Sequence, residues 1–481
     1  MYQYPSAKSK PQEIRFGKNH IIDEYEWMRN ASDKDTIAFT NQENVFTDHY
    51  FENYKEYYDK YLKEQQELAK NLTYREVVRL SNGMICHGVY NDGISKTLFL
   101  NNDYTVKKVI TDSGFMEGVH VHGIVPNPIN DKLCIIQILR DQAERTSGLV
   151  YDLCREKVLT ELKDTFSMAW SFDGKYAYYC KACHREDGTI ENSLRQYCIV
   201  DGKDEVLYIH QGHAAYGNVY PMTAGGVVVN FAVDYHASEM VIYEDEKHIA
   251  EVAFDGNARE YIGSIGNRHF FKTDEGAALG KIVSLESGKA FSEYENYINE
   301  TEQNISQAGI SNGKIICIYE DAGSQSLCVY DEQKIRHDIK LPAIYGKIDF
   351  AVQEFASEKP LFTYESFSIP SCVLELDLVS YMAKLVYESG TACKDVTEEL
   401  VHYTSRDGIQ LAAYIVRKSD VSRNGKNKTL FYGYGGYNAT NYVSEHACGM
   451  TIANWINEGG IYVHCIIRGG GEYGEEWHRS G

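Results

Sequence analysis

One serine of this chain lies in a pattern that many hydrolases use for their nucleophile. Gly309-Ile310-Ser311-Asn312-Gly313 is the single match to G-x-S-x-G in the sequence, and an active serine of this kind follows a strand and precedes a helix. The apolar run 314–320 after it is typical of a strand instead, and Asn-Gly is a strong hairpin signal. The pattern therefore predicts a β-hairpin, with Ser311 outside any catalytic site.

Two groups of cysteine and histidine residues could bind a cofactor. Cys180-Lys181-Ala182-Cys183-His184 has the spacing of covalent haem attachment, but its position after a strand-like run is typical of a loop, and zinc would need a second ligand pair. His120 and His122 alternate to one face of a predicted strand, and two ligands alone make a poor metal site. We predict no cofactor and no metal ion.

Glycines near the end of the sequence match a nucleotide-binding pattern. Residues 469–474 satisfy G-x-G-x-x-G, but dinucleotide binding needs a helix, a further strand and an acidic residue about 20 positions on. The printed sequence ends at Gly481 before these appear. His478 is close by, yet hydrolase triads run Ser, Asp, His along the chain. His478 therefore comes too early to be a catalytic base.

Length and charge limit the classes of protein to consider. A chain of 481 residues is expected to form at least two domains. With 69 acidic against 48 basic residues the net charge is −21, and the basic residues are scattered, which argues against nucleic acid and anionic membranes as partners. No signal-peptide segment and no run of ~18 apolar residues is evident. We predict a cytoplasmic protein with reduced cysteines.

A short apolar run that ends in an acidic or amide residue recurs between about residues 76 and 390. The seven end residues, from position 101 to position 377, have a mean spacing of about 46 residues. Strands and turns at this period are typical of a four-stranded propeller blade. We predict a seven-bladed β-propeller, with six and eight blades as alternatives. The runs are Leu98–Asn101, Leu149–Asp152, Cys198–Asp201, Val241–Glu244, Val283–Glu286, Cys328–Asp331 and Val373–Asp377.

The segments on either side of the repeat differ from it. Residues 33–68 have an amphipathic helical pattern without Gly or Pro. After about residue 393, strand-like runs at 411–416, 429–432 and 461–467 enclose a predicted helix from Ser444 to Asn457, which ends before Gly459-Gly460. Strand, helix and strand with a glycine stop predict the start of a parallel α/β sheet.

Four stretches of the sequence resemble the prolyl oligopeptidase family of serine peptidases. Near the N-terminus, Glu24 and Glu26 stand where the family mostly has Pro and Arg, whereas Tyr25 and Trp27 keep the match. The two C-terminal stretches match more closely. The four are Asp23 to Asn30, Thr36 to Asn44, Gly433-Tyr434-Gly435-Gly436 and Arg468-Gly469-Gly470-Gly471-Glu472-Tyr473-Gly474.

The resemblance implies a domain organisation and an activity. Residues 1–74 would be a helical segment packed on the hydrolase domain, 75–392 the propeller, and 393–481 the first part of an incomplete α/β-hydrolase domain. The family cleaves short peptides after proline, and its propeller excludes folded proteins. We therefore expect short proline-containing peptides as ligands.

The resemblance assigns chemistry to one residue, Tyr434. In the family the tyrosine at this place donates its hydroxyl to the oxyanion of the acyl-transfer intermediate, and the second donor is the backbone N–H after the nucleophile. The alternative is that Tyr434 is one more buried tyrosine among 38. The flanking glycines favour the catalytic role.

The family's Ser, Asp and His triad would lie downstream of these 481 residues. We therefore expect a chain that lacks the nucleophile and is inactive alone. The rival interpretation is a non-catalytic propeller protein that binds peptides or a protein partner.

Overall fold

The computed structural model describes most of the chain, in two compact units, Met1–Glu67 and Leu68–Gly481. The described residues are 4–68, 73–89, 95–111, 119–140, 146–184, 190–212, 214–223, 225–234, 236–351, 357–369, 371–388, 395–443 and 452–481.

The first unit consists of a hairpin and two helices. Strands β1 (Gln12–Phe16) and β2 (Asn19–Asp23) precede a 3-10 turn, Glu26–Arg29, and the helices α1 (Lys34–Glu52) and α2 (Lys55–Leu68). Asp33 caps α1 by accepting hydrogen bonds from the backbone N–H groups of Asp35 and Thr36. The helical pattern of residues 33–68 is therefore confirmed, but as two helices.

The second unit begins with antiparallel sheets in sequence order, and this arrangement of sheets is a β-propeller. Each sheet except one has four strands that follow one another along the chain. The first two sheets contain β3 (Thr73–Leu80), β4 (Gly83–Val89), β5 (Ser95–Leu100) and β6 (Val106–Val109), then β7 (Val119–Pro126), β8 (Leu133–Arg140), β9 (Thr146–Asp152), β10 (Lys157–Trp170), β11 (Tyr176–His184), β12 (Ile190–Cys198) and β13 (Asp204–Ile209).

The remaining four sheets of this region all have four strands. They contain β14 (Tyr216–Pro221), β15 (Val227–Ala232), β16 (Ser238–Asp245) and β17 (His248–Val252); β18 (Arg259–Ile265), β19 (Arg268–Thr273), β20 (Lys281–Glu286) and β21 (Glu295–Ile298); β22 (Asn304–Ser311), β23 (Lys314–Asp321), β24 (Ser324–Tyr330) and β25 (Arg336–Ile339); β26 (Lys347–Asp349), β27 (Leu361–Glu365), β28 (Cys372–Asp377) and β29 (Met382–Glu388). A short 3-10 turn, Phe291–Glu293, precedes β21.

The long strand β10 belongs to two halves of the seven-stranded sheet. Its first part pairs with β9 and its second part with β11, and the register shifts on both sides of Thr165. Asp164 has a positive φ of 57° at this irregularity. A bulge of this kind bends a strand and increases its twist. The strand therefore changes direction near its middle.

Apolar clusters join each sheet to the next. One of them closes the sequence of sheets, because Tyr74 and Leu98 of the first sheet pack with Leu361 and Val373 of the last. Another packs the two halves of the seven-stranded sheet, with Trp170 at its centre. Five more join the intervening neighbours. Burial of these faces is the main stabilising term for the second unit.

The recurring apolar runs occupy equivalent places in these sheets. Five of them lie on the third strand of a four-stranded sheet, namely β5, β16, β20, β24 and β28. The other two lie on β9 and at the end of β12 in the seven-stranded sheet. In most of the runs the apolar positions are buried and the polar end is more exposed, but Val200 is 80% exposed and Asp152 is buried.

Two local predictions in this region have clear outcomes. Ser311 ends β22, Asn312 and Gly313 have φ values of 47° and 73°, and β23 follows at once. The predicted hairpin is confirmed, and the Ser311 hydroxyl donates to the carbonyl of Ser357.

The cysteine pair, however, is not in a loop, because β11 continues to His184. Cys180 and Cys183 are three positions apart on that strand and point to opposite faces.

A mixed sheet follows the last antiparallel sheet. Its strands are β30 (Val396–Thr404), β31 (Gln410–Lys418), β32 (Thr429–Tyr432) and β33 (Ile461–Ile466), in the order β30-β31-β33-β32. Strands β32 and β33 are parallel, and the other neighbours are antiparallel. Helix α3 occupies residues 452–457, and α4 is Glu475–Arg479. The start of the predicted helix, from Ser444, lies outside the described residues.

Further sequence-based expectations concern cysteines and membranes. The ten described cysteines are all free, and six of them are buried. Among the described helices, none combines the length and apolar character needed to cross a bilayer.

The closing cluster between the first and last sheets provides a test of this architecture. Leu361 is fully buried there, so Leu361→Ala should lower the free energy of unfolding by about 2–5 kcal/mol. Leu385→Ala on β29 of the same sheet is the control, because Leu385 is 47% exposed. Urea titrations would measure both, and equal small losses would contradict the packing described.

Candidate functional site

Both glycine-rich stretches follow the carboxyl ends of the parallel strand pair. Gly433 and Tyr434 come directly after β32, and Arg468 and Gly469 come two residues after β33. Because β32 and β33 are parallel, these ends meet at one edge of the sheet. Ligand sites of α/β sheets lie outside this edge. The two stretches are therefore neighbours at the place where such a site is expected.

Glycine is required where the two stretches touch. Gly435 has a φ of 59°, and a Cβ there would lie 2.5 Å from the carbonyl oxygen of Arg468. Gly469 has a φ of 101°, and a Cβ there would overlap the carbonyl of Gly435. Glycine alone tolerates both the left-handed backbone and this close approach. A Cβ at Gly471 would likewise lie 2.8 Å from the carbonyl oxygen of Asn438. These glycines therefore serve the close packing of the backbone.

Tyr434 itself points outward. Its side chain is 53% exposed, in contrast to the alternative of a buried tyrosine. The chain then passes through Tyr437 and Asn438, which have φ values of 58° and 55°. A left-handed backbone is unfavourable at a residue such as tyrosine, and strain of this kind is common at functional sites. The hydroxyl of Tyr434 is available to a ligand.

Side chains from other elements hold the second stretch. The guanidinium of Arg468 pairs with the carboxylate of Asp407 at 2.7 Å, which ties it to the β30–β31 hairpin. The imidazole Nδ1 of His478 lies 2.9 Å from the carbonyl oxygen of Gly469 and donates to it. The backbone N–H of Asn438 donates to the same oxygen at 3.1 Å. His478 therefore joins the two stretches.

The mixed sheet packs on loops of the propeller. The hairpin loop 322–323 and Phe367 contribute to the apolar cluster around Tyr414 and Tyr462. The side-chain amide of Asn304 donates to the carbonyl oxygen of Gly471 at 3.2 Å. The backbone N–H of Val443 donates to the carbonyl oxygen of Gly323 at 3.0 Å. The site is thus fixed to two neighbouring propeller sheets.

A cavity of about 380 Å³ lies between the propeller and the mixed sheet. Its walls come from the first strands of three successive sheets, β14, β18 and β22, and from their neighbouring strands. Residues 438–442 and 471–475 cover it. Tyr434 is not among the residues that line it. Along the chain, the first residue after Tyr434 that lines the cavity is Asn438, four positions later.

One histidine connects the propeller to helix α4 at the wall of this cavity. The Nε2 atom of His236 lies 2.6 Å from a carboxylate oxygen of Asp274, and its Nδ1 atom lies 2.9 Å from one of Glu475. The hydrogen bond to Asp274 raises the pKa of His236. Both ring nitrogens face carboxylates, which only a protonated imidazole satisfies with two donors. His236 therefore lies between two carboxylates, which favour its protonated form.

Two buried carboxyl groups face each other across the same interface. Glu320, the penultimate residue of β23, is 1% exposed, and neither of its oxygens accepts a hydrogen bond within 3.5 Å. Burial raises the pKa of Glu320 to about 8. Burial also raises the pKa of Glu472, whose Oε1 accepts from the backbone N–H of Asn441 at 2.9 Å. Desolvation disfavours the charged form of both.

Sequence reasoning found the glycine stretches but not the cavity residues. His236, Asp274 and Glu320 lie in the propeller repeat, far along the chain from the mixed sheet. Each occupies a polar position in a strand or loop that resembles many others, so no local signal distinguishes it. His120 and His122, on β7, do not line the cavity, and the described residues include no metal-binding cluster of three or more His, Cys, Asp or Glu side chains.

The fold and site define a propeller joined to a mixed α/β sheet with a glycine-framed tyrosine at its ligand-binding edge. Comparison with known proteins gives the family. The profile described as "Prolyl oligopeptidase, N-terminal beta-propeller domain" matches residues 5–79 and 231–389. Prolyl endopeptidases from Elizabethkingia meningoseptica and Elizabethkingia miricola are each 23% identical, over all of this chain and 70% of their own length.

Solved structures agree on the fold. Prolyl oligopeptidase B from Galerina marginata superposes with a TM-score of 0.84 at 17% identity, over all of this chain and 74% of that one. Oligopeptidase B from Leishmania major superposes with a TM-score of 0.81 at 14% identity, over all of this chain and 73% of that one. The family model, the relatives and the shared fold support the prolyl oligopeptidase family for this chain.

The glycine contact predicts a specific steric effect. Gly435→Ala should destabilise the protein by about 1–3 kcal/mol, because it adds a Cβ against the Arg468 carbonyl at a positive φ. Gly436→Ala is the control, since the nearest atom to its Cβ would be 3.9 Å away. Denaturant unfolding would measure both variants. Equal effects would show that the two stretches do not pack as described.

The buried Glu320 predicts a pH effect on stability. Its folded pKa, about 8, exceeds the unfolded value near 4.5, so its contribution is complete below pH 4.5 and is lost as pH rises to about 8. Glu320→Gln should therefore gain stability relative to wild type by up to about 1.4 kcal/mol per pH unit across that window. Unfolding at several pH values would measure it. A constant difference, as expected for the exposed Glu332→Gln, would contradict this.

Proposed function

We propose that this chain carries part of the acyl-transfer site of a serine peptidase that cleaves short peptides after proline. The observation that carries the proposal is the exposed hydroxyl of Tyr434, held between two packed glycine stretches at the carboxyl edge of parallel strands. A preorganised donor in such a position stabilises the oxyanion of a tetrahedral intermediate. The relatives named prolyl endopeptidase support the reaction class.

We infer that the propeller has seven blades. The seven-stranded sheet counts as two of them, because β10 pairs with β9 in its first part and with β11 in its second. Seven apolar clusters then correspond to seven interfaces between consecutive blades, including the one between the last blade and the first. We assign residues 75–392 to the propeller and 393–481 to the first part of the hydrolase domain. The assignment of 1–74 as a helical segment packing on that domain stays a prediction.

We propose that the catalytic serine, aspartate and histidine are not among these 481 residues. The single G-x-S-x-G match is the hairpin at Ser311, whose side chain is buried. Strand β32 is at the edge of the mixed sheet, and Leu430, Phe431 and Tyr432 on it are 40%, 69% and 39% exposed. Exposed apolar side chains on an edge strand are a liability that further structure normally covers. This supports an α/β-hydrolase domain of which the mixed sheet is one part.

The size of the cavity and the composition of the chain support proposals about the substrate, the partners and the location of the protein. A peptide must fit the space between the propeller and the mixed sheet, and a cavity of about 380 Å³ supports short peptides over folded proteins. The scattered basic residues and the net charge of −21 support a protein without nucleic-acid or membrane partners. We retain the cytoplasm as the proposed location.

Kinetics would test the role of Tyr434 directly. The coding sequence after the Gly481 codon would be read and the complete product expressed, and it should contain G-x-S-x-G, then Asp, then His. In that enzyme Tyr434→Phe should lower kcat about 10²–10³-fold on a proline-containing reporter peptide with little change in KM. Tyr403→Phe, elsewhere on the same sheet, is the control. An unchanged kcat for Tyr434→Phe would end the assignment.

A covalent probe would test the missing nucleophile. A fluorophosphonate should not label the 481-residue protein, because the serine of its single G-x-S-x-G match, Ser311, lies in a β-hairpin and not at a strand-to-helix turn. The probe should label the product that contains the triad. Stoichiometric labelling of the 481-residue protein, together with turnover of a proline-containing peptide, would refute the proposal. A stop codon at that point, with folded monodisperse protein that binds peptides, would favour the non-catalytic propeller protein.

A further inference from the structure

The cations on the cavity wall are already paired with neighbouring carboxylates. Arg259 lies 2.6 Å from Asp255 and 2.8 Å from Glu275. Lys272 lies 2.7 Å from Glu260 and donates to the carbonyl oxygen of Ser306. His236 is engaged by two carboxylates in the same way. Among the described residues that line the cavity, the positive groups are therefore neutralised within the wall.

Glu320 differs from these paired carboxylates. Glu320 is one of the residues that line the cavity and is 1% exposed, and its buried carboxyl oxygens have no cation within ion-pair distance among the described residues. Thr440 and Lys272 lower the pKa of Glu320, but by less than burial raises it. Glu472 and Asp321 add negative potential. A buried carboxylate without a partner is costly, so the cavity has one strong unfilled acceptor.

We propose that Glu320 binds the ammonium or guanidinium group of a peptide, which makes the cavity a subsite for a positively charged part of the substrate. This rests on the proposed function, because it takes the ligand to be a peptide. A cavity of about 380 Å³ accommodates a long basic side chain with adjoining backbone. Tyr216, Tyr220 and Tyr442 also line it, and aromatic faces attract organic cations. Asn304 supplies a polar group that can orient peptide backbone.

Binding at this subsite is coupled to one proton. With a pKa of about 8, Glu320 is protonated in the free protein at pH 7, and a bound cation displaces that proton to solvent. The charged or titratable groups that face Glu320 are Lys272, Asp321, Glu472, Tyr442 and Tyr473. Affinity for a cation that keeps its charge should therefore rise from pH 6 to pH 8 and then level off.

Two parts of a peptide could supply the cation. Lysine and arginine side chains stay charged beyond pH 10, whereas an N-terminal ammonium loses its charge near pH 8. Capped and free peptides separate these sources. An acetylated peptide with lysine tests the side chain, and a free N-terminal peptide with norleucine in place of lysine tests the terminus.

Calorimetry on the 481-residue protein would test the subsite. The probes are an acetylated, amidated Pro-containing pentapeptide with lysine, the same peptide with norleucine, the free N-terminal norleucine peptide, and n-butylammonium. The lysine peptide or the free N-terminal peptide should bind at least tenfold more tightly than the capped norleucine peptide. Titrations at pH 7 in buffers of different ionisation enthalpy should show release of about one proton.

Two variants assign the effect to Glu320. Glu320→Gln keeps the shape of the side chain and should abolish the advantage of the cationic peptide. Glu76→Gln is the matched control, because burial raises the pKa of Glu76 to about 7 but Glu76 does not line the cavity; it should keep the advantage. The comparison of lysine and norleucine peptides on wild-type protein stands even if a variant fails to fold.

The failures of the two proposals are distinguishable. Equal binding of cationic and neutral peptides, or an advantage that survives in Glu320→Gln, overturns the subsite and leaves the peptidase proposal intact. Glu320-dependent binding of n-butylammonium without binding of any peptide supports the cation site but contradicts a peptide ligand. Absence of binding by all four probes overturns the subsite.

Discussion

The backbone contact between the two glycine stretches is the constraint on which the site depends. The stretches approach so closely that a Cβ on Gly435 would overlap the carbonyl oxygen of Arg468, and a Cβ on Gly469 would overlap the carbonyl of Gly435. This contact brings the ends of β32 and β33 together and turns the chain so that Tyr434 faces outward. The left-handed conformations at Tyr437 and Asn438 follow from the same turn. Arg468 and His478 then secure it through Asp407 and the Gly469 carbonyl.

The propeller supplies contacts and side chains to this site. Its loops supply apolar contacts to the mixed sheet, and Asn304 binds the backbone of the second glycine stretch. The interface also contains titratable groups that are unusual for a buried surface, namely His236 between two carboxylates and Glu320 without a cationic partner. Proteins rarely retain buried charge without a reason, and such groups cluster at functional sites. The cavity and the glycine-framed tyrosine are thus neighbouring parts of one region.

Local signals predicted the repeating part of the fold well. The apolar runs were visible because each places apolar residues before a polar turn, and Asn312-Gly313 has the residue types that its hairpin requires. The end of a helix near residue 457 was predicted from an equally local signal, the two glycines that follow it. The break between α1 and α2 was missed because no Gly or Pro marks it. The strand containing Cys180 and Cys183 was misjudged as a loop because its polar residues resemble a turn.

The site could be predicted only in part, for a physical reason. Tyr434 was found because glycines frame it in sequence, as they do in space. Glu320 and Glu472 are brought together by the packing of a propeller sheet on the mixed sheet, and neither has a sequence neighbour that indicates the other. The contact of Asn304 with Gly471 is of the same kind. Contacts between separate domains leave no periodic trace in a single sequence.

A crystal structure of the triad-containing enzyme with a peptide phosphonate on its serine would test the central claim most directly. The account predicts that the hydroxyl of Tyr434 lies about 2.7–3.1 Å from the phosphonyl oxygen that mimics the oxyanion. A structure in which that oxygen accepts its hydrogen bonds from other groups, with the Tyr434 hydroxyl turned away, would contradict it.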